Sequence, residues 1–159
     1  MALTAPILDI RDTISGAEAE CYVVINGEKK WCMNAKNLKA TYEKNKTEVR
    51  VLGCRNSKNK SNGGKGTGTG TFFYNTSTFR ELMYEYKQNG TDFYFEMYIT
   101  NEDSTSATGR QTTILKDCNL DSVVVAAFDV DAGELEEDLA FTFDDWELAE
   151  KFTEVEGMV

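Results

Sequence analysis

The segment SNGGKGTGTGTFFY, Ser61 to Tyr74, admits two opposed readings. Glycine, lysine and threonine are the residues of a phosphate-binding loop. A loop of the G-x-x-x-x-G-K-[ST] type, however, needs a strand before it and a helix after it, so that successive backbone N–H groups and the helix N-terminus converge on the phosphates. Here Gly66 follows Lys65 where Ser or Thr belongs. From Thr67 the chain alternates instead, with Thr67, Thr69, Thr71 and Phe73 on one face and Gly68, Gly70, Phe72 and Tyr74 on the other. Period two is the mark of a strand. Gly68 and Gly70 then leave a bare strip on which another backbone or an aromatic ring can lie. The stretch predicts sheet rather than a nucleotide site.

Strand signals continue on both sides. Residues 1–19 lack sustained periodicity and read as an extended arm. CYVVI, NGE and KKWCMNA form a hairpin pattern, with Asn26-Gly27 supplying the positive φ angles of a tight turn. Trp31, Met33 and Ala35 share one parity, whereas Leu38, Ala40 and Tyr42 are offset by one. That slip predicts a β-bulge near Lys36-Asn37. TEVRVLG resumes the strand, and residues 54–66, rich in turn formers and charge without an apolar face, are expected to be a long exposed loop. One helix follows: Phe79, Leu82, Met83 and Tyr86 fall at i, i+3, i+4 and i+7, Thr78 and Glu81 can form a capping box, and Asn89-Gly90 closes it. Its stripe should pack on a sheet.

The second half alternates again. Phe93, Phe95, Met97 and Ile99 oppose Tyr94, Glu96 and Tyr98, an aromatic run better suited to core packing than to base stacking in so acidic a chain. Ile114, Cys118, Leu120, Val124, Ala126, Phe128 and Val130 oppose Asp117, Asn119, Asp121, Asp129 and Asp131. Leu139, Phe141 and Phe143 point inward, with a phase change at Asp144-Asp145 before Trp146 and Leu148. The pattern predicts a mainly β fold: one domain over 1–159, an antiparallel β-sandwich or barrel of about seven strands with one flanking α-helix.

Composition narrows the chemistry. The chain has no histidine, which removes the usual general base near neutral pH and the standard catalytic triads. Its four cysteines are scattered without a C-x-x-C pair, the pattern of reduced, mostly buried thiols rather than of a zinc site. No apolar run is long enough to span a bilayer and the N-terminus lacks a signal pattern, so a soluble protein made in the cytosol is expected. A net charge of −10 opposes sequence-independent binding to DNA or anionic membrane. Asp129 and Asp131 have the spacing of the first EF-hand ligands, but Gly133 and Ala140 stand where later ligands belong. Carboxylates are plentiful, yet no pair is set apart as a glycosidase pair would be. The expectation is no enzyme and no metal site.

Charge is segregated. Most of the seventeen basic residues lie between Lys29 and Lys87, and from Asp129 to Glu156 Lys151 is the only base in a run of acids. Two solvated surfaces would give this distribution, and so would a molecule with a positive and a negative end, suited to head-to-tail stacking. The bare Gly/Thr strand, Tyr94 and Tyr98 on a second strand face, the arm and the basic loop point to assembly.

The blocks DTISGAEAECYVVINGEKKWC, YEKNKTEVRVLG, GTGTGTFFYNTSTFRELMYEYKQNGTDFYFEMYI and DVDAGELEEDLAFTFDDWELAEKF resemble, in this order, the tail tube proteins of contractile-tailed phages of the PBSX-like group, including defective prophages and phage-tail-like bacteriocins. The likeness runs from Thr13 to Phe152. It implies a β-sandwich with one helix, closing into hexameric rings that stack into a hollow tube inside a contractile sheath, with sheath and baseplate or initiator proteins as partners. It implies a virion tail or tail-like particle assembled in the host cytoplasm, a conduit for DNA or ions, with no catalysis, no cofactor and no membrane insertion.

Strands given by each subunit to a closed inner barrel would leave no unpaired edge around a ring. An acidic lumen would repel DNA phosphates, which places Asp117, Asp121 and Asp129 as candidate luminal residues. For ring stacking the candidates are Arg55, Lys58, Lys60 and Lys65 against Glu134, Glu136, Glu137 and Asp138. The arm and the loop are expected to order on docking. A type VI secretion-like tube protein and a monomeric β-sandwich binding domain are the alternatives.

Overall fold

The computed structural model describes residues 4–159; the first three residues of the expected arm lie outside them. Among the described residues there are eight strands and one α-helix: β1 (Ala19–Ile25), β2 (Glu28–Trp31), β3 (Ala35–Val49), β4 (Lys58–Phe73), α1 (Thr78–Asn89), β5 (Phe95–Glu102), β6 (Arg110–Ser122), β7 (Glu136–Phe143) and β8 (Asp145–Glu150). The expected mainly β, antiparallel fold with one helix holds, with eight strands in place of about seven.

The chain forms two compact units. One comprises residues 4–33, 96–116 and 146–159, the other residues 34–95 and 117–145. In the first the hydrogen-bonded order is β2-β1-β5-β6, with β8 also on β6. Asn26 (φ 53°) and Gly27 (φ 78°) make the two-residue turn that sets Ile25 opposite Glu28. β1 then pairs antiparallel with β5, Val23 opposite Met97, and both of these side chains are buried.

This unit also anchors much of the arm. Ser15 N–H donates to Asp103 Oδ2 (3.0 Å), Ser106 Oγ to the Asp12 carbonyl (3.1 Å) and Glu102 N–H to the Glu18 carbonyl (3.1 Å). Asp103 and its loop thus satisfy backbone groups of residues 12–18.

In the second unit the order is β6-β7-β4-β3. β4 shows the predicted alternation, with Gly66, Gly68, Gly70 and Phe72 buried and Thr67 and Thr69 exposed. β7 supplies the facing residues: Gly66 opposes Phe143, Gly68 opposes Phe141 and Gly70 opposes Leu139. A Cβ on Gly68 would sit 2.2 Å from Phe141 Cζ, and one on Gly66 2.3 Å from Phe143 Cε2. The bare strip is thus the seat of two buried rings. The bulge predicted near Lys36-Asn37 is present, as the β3–β4 register shifts between Ala35 and Asn37.

Four details depart from the sequence reading. Residues 58–66 are not loop but the first part of β4, paired with β3 from Lys58 opposite Val49; backbone pairing needs no apolar face, so an exposed ribbon carries no burial pattern. Asp117 takes a left-handed φ of 54°, so burial passes from Leu115 to Cys118 and the expected single parity breaks. The segment VVVAAFD, 123–129, expected to continue a strand, has no strand partner among the described residues. The capping box does not form: Ser77 is the N-cap and makes no side-chain cap bond.

Elsewhere α1 ends as expected, Gly90 adopting φ 69° and donating its N–H to the Tyr86 carbonyl (2.9 Å). Phe79 is the buried residue of its stripe and packs edge-on against Phe72, while Tyr86 is half exposed. All four cysteines are thiols, but only Cys118 is buried; Cys54 is exposed and Cys21 and Cys32 are half-buried.

Candidate functional site

The expected stacking residues occupy the β3–β4 hairpin and the strand beside its root. β3 and β4 pair along their length, but β7 accompanies β4 only from Gly66 to Phe73. The remaining part, Lys58–Lys65 with Glu43–Val49, is a two-stranded ribbon whose residues are nearly all exposed. Arg55 lies in the turn at its tip, with Lys58 and Lys60 on the adjoining end of β4. Lys65 lies further in, opposite Glu43. The apolar side chains at the tip are exposed too, Leu52 fully so.

The acidic set lies at the other end of the same strand. Glu136 opposes Phe73 and Asp138 opposes Thr71, so β4 runs from a basic tip to an acidic root. Thirteen residues separate Lys60 from Phe73, roughly 40 Å at about 3.3 Å per residue. Glu134 is exposed just before β7. Glu136 accepts from Lys36 Nζ at 2.5 Å, and this carboxylate holds the Lys36 ammonium above its ordinary range. Asp138 accepts from Thr71 Oγ1 at 2.8 Å.

Glu137 is a correction to the stacking set. It is only 4% exposed, on the core face of β7 between Glu136 and Asp138, and it is ion-paired with Arg80 of α1. Arg80 also donates to the Thr76 and Val124 carbonyls and covers the Tyr74 ring at 4.2 Å. The pair ties the helix start to the strand, and the period-two pattern of β7 already puts residue 137 in phase with Leu139 and Phe141.

Asp117, Asp121 and Asp129 are all exposed, the first two on β6 and the third in the turn beyond it. Asp129 Oδ1 accepts from Asp131 N–H (3.0 Å), so the spacing that resembled a calcium loop closes a local turn. Among the described residues no cluster of three or more His, Cys, Asp or Glu could hold a metal ion, and no helix is long and apolar enough to cross a membrane.

One surface was singled out from the sequence only at Tyr98, without its partners. In the first unit, Tyr22 opposes Trp31 on one side and Tyr98 on the other. Tyr22 and Tyr98 stack at 4.6 Å, Trp31 meets Tyr22 edge-on at 5.2 Å, and Lys29 Nζ sits 4.1 Å above Tyr22. Tyr98 donates to Glu96 Oε2 (3.1 Å), which pushes its phenol above the ordinary value. The alternation of Tyr22 against Val23 was the available signal.

Carboxylates here serve as strand-face charges, ion-pair partners or turn acceptors, and the strongest features are exposed edges, ribbons and aromatic faces. Comparison with known proteins points the same way. The chain is 39% identical over 147 residues to the phage-like element PBSX protein XkdM of Bacillus subtilis (strain 168), covering 92% of this chain and 97% of that protein. The tube–sheath complex of an extracellular contractile injection system contains a chain of similar fold, with TM-score 0.62, 12% identity, and coverage of 87% of this chain and 94% of that one. The SPP1 tail tube protein is similar with TM-score 0.60 and 9% identity over 84% of this chain and 77% of that one. Residues 7–150 match the family described as phage tail tube protein. With a hydrogen-bonded strand framework, a lone helix and this match over nearly its whole length, the chain belongs to the phage tail tube protein family.

Proposed function

We propose that the chain, acting as one domain, forms hexameric rings that stack head to tail into the hollow inner tube of a contractile tail or tail-like particle. The observation that carries the stacking is the polarity of β4, basic at the hairpin tip (Arg55, Lys58, Lys60) and flanked by acids at its root (Glu134, Glu136, Asp138). Opposite charge at the two ends of one strand favours a heterologous contact that repeats without closing. Lys65 joins the basic face further along the ribbon.

The tube works by shape and charge rather than by catalysis or a cofactor. Asp117, Asp121 and Asp129 line the lumen, where carboxylates repel a passing polyanion and prevent it from sticking. A sheath surrounds the tube, as the sheath–tube assembly containing a similar chain supports, and a baseplate complex starts it. Rings assemble in the host cytoplasm, and the tube conducts DNA or ions.

Sedimentation velocity on concentrated protein tests the stacking. Large species should dissociate towards single rings as salt rises from about 0.1 to about 1 M and the Debye length falls from about 10 to about 3 Å. Stacks indifferent to salt would remove the charged ends from the contact.

A further inference from the structure

Val123–Val130 is built like a strand and used as none. Its sequence VVVAAFDV is rich in β-branched and aromatic residues, the composition of a strand. In the folded chain it follows the end of β6 at Ser122 without regular structure, and Val125, Phe128 and Val130 are 79%, 90% and 91% exposed. Arg80 fixes the segment's start through the Val124 carbonyl (3.4 Å), and the Asp129 turn fixes its end, Ala132 N–H donating to the Asp129 carbonyl (3.3 Å). An apolar run held at both ends and left in water is the signature of a surface completed by another molecule.

The same unit carries a matching edge. β3 is the last strand of its sheet, hydrogen-bonded to β4 on one side only. Leu38, Ala40 and Tyr42 form one row along it, opposite Gly70, Gly68 and Gly66. Lys39, Lys44 and Lys46 are exposed along it, whereas the segment contains Asp129 and no base and stands between Asp121 and Asp131. An open edge of this length is a template for a further strand.

We propose that Val123–Val130 docks as an added strand on the exposed edge of β3 in a second copy of this chain. Val124, Ala126, Phe128 and Val130 extend the apolar row of Leu38, Ala40 and Tyr42, and a segment without a base suits an edge that carries exposed lysines. Each copy offers the segment on one side and the edge on the other, so the contact propagates around a ring. This inference rests on the ring-forming reading and names the contact that closes the ring.

Hydrogen–deuterium exchange of the intact chain, at concentrations below and above assembly, tests it together with Phe128→Asp. On assembly, amides of 123–130 and of Ala35–Lys44 should gain protection together. Phe128→Asp should keep the monomer's circular dichroism and melting temperature, its side chain being exposed, yet raise the concentration needed for assembly by roughly tenfold or more. Rings that form with 123–130 still exchanging freely would overturn this contact and leave the ring reading standing. Protection of 123–130 already present in the monomer would place the segment on its own chain, against α1, and overturn it equally. A wild-type chain that stays monomeric under all conditions would count against both readings.

Discussion

Phe141 lies across the backbone of Gly68, its Cζ 2.2 Å from where a Cβ would stand. The two residues are direct partners in the β4–β7 register, and Phe141 is 2% exposed, so the ring has nowhere to retreat. The Thr/Gly alternation that resembled a phosphate loop is an architectural device: glycine on the inner face admits a phenyl ring between strands, and threonine on the outer face keeps the strand wet.

Gly68→Val should therefore destabilise the protein by about 1–3 kcal/mol, the usual cost of forcing atoms into a packed core. Thr69→Val, one residue on and exposed, should stay within about 0.5 kcal/mol of wild type. Urea denaturation of the two variants separates a steric role for the glycine from a mere strand-propensity effect, since valine favours strands at both positions.

Glu137→Ala should cost about 3 kcal/mol, because it leaves the Arg80 guanidinium, itself mostly buried, without its carboxylate. The double variant Arg80→Leu/Glu137→Leu should lose less than Glu137→Ala alone, as replacing both members of a buried pair removes the desolvated charge. Thermal melts of the single and double variants decide this, and a double variant less stable than the single would show that the pair contributes more than its desolvation costs.

Asp103 gives the fold an acid limit. The Thr105 hydroxyl (2.6 Å), the Thr105 N–H (2.9 Å) and the Ser15 N–H (3.0 Å) all donate to its carboxylate and hold it below its ordinary value near 3.8. A lowered folded-state pKa contributes stability that is present above the ordinary value and is lost as pH falls through the folded one. Asp103→Asn should accordingly melt below wild type near neutral pH, with the two curves converging below about pH 4. A gap that stayed constant through that range would assign the effect to geometry rather than charge.

Much of the architecture was legible because burial writes a period into the sequence. Asn26-Gly27, the slip at Lys36, the Thr/Gly strand, the Gly90 helix end and the inward row Leu139, Phe141, Phe143 each left a local mark. The misses share a cause, which is structure made without burial or against local pattern. Lys58–Lys65 pairs through its backbone while exposing its side chains; Asp117 inserts a left-handed residue that shifts parity; Glu137 carries charge on a core face because Arg80 reaches it. Val123–Val130 has the pattern of a strand without the strand, since what it lacks is a neighbour rather than a signal. The charged ends of β4 were legible as composition, but their opposition along one strand required the β4–β7 register.

Reversing the tip charges with Lys58→Glu/Lys60→Glu should leave the melting temperature within a few degrees of wild type, both side chains being exposed, while greatly reducing the length of stacks at low salt. Stack length read from micrographs measures this, and unaltered stacks would move the ring-to-ring contact away from the hairpin tip.

The most decisive observation is negative-stain electron microscopy of the purified chain, concentrated at low salt. Hollow tubes, or rings with six-fold symmetry in end view, are the expected result. A monodisperse monomer at every concentration and salt would contradict self-assembly into a tube.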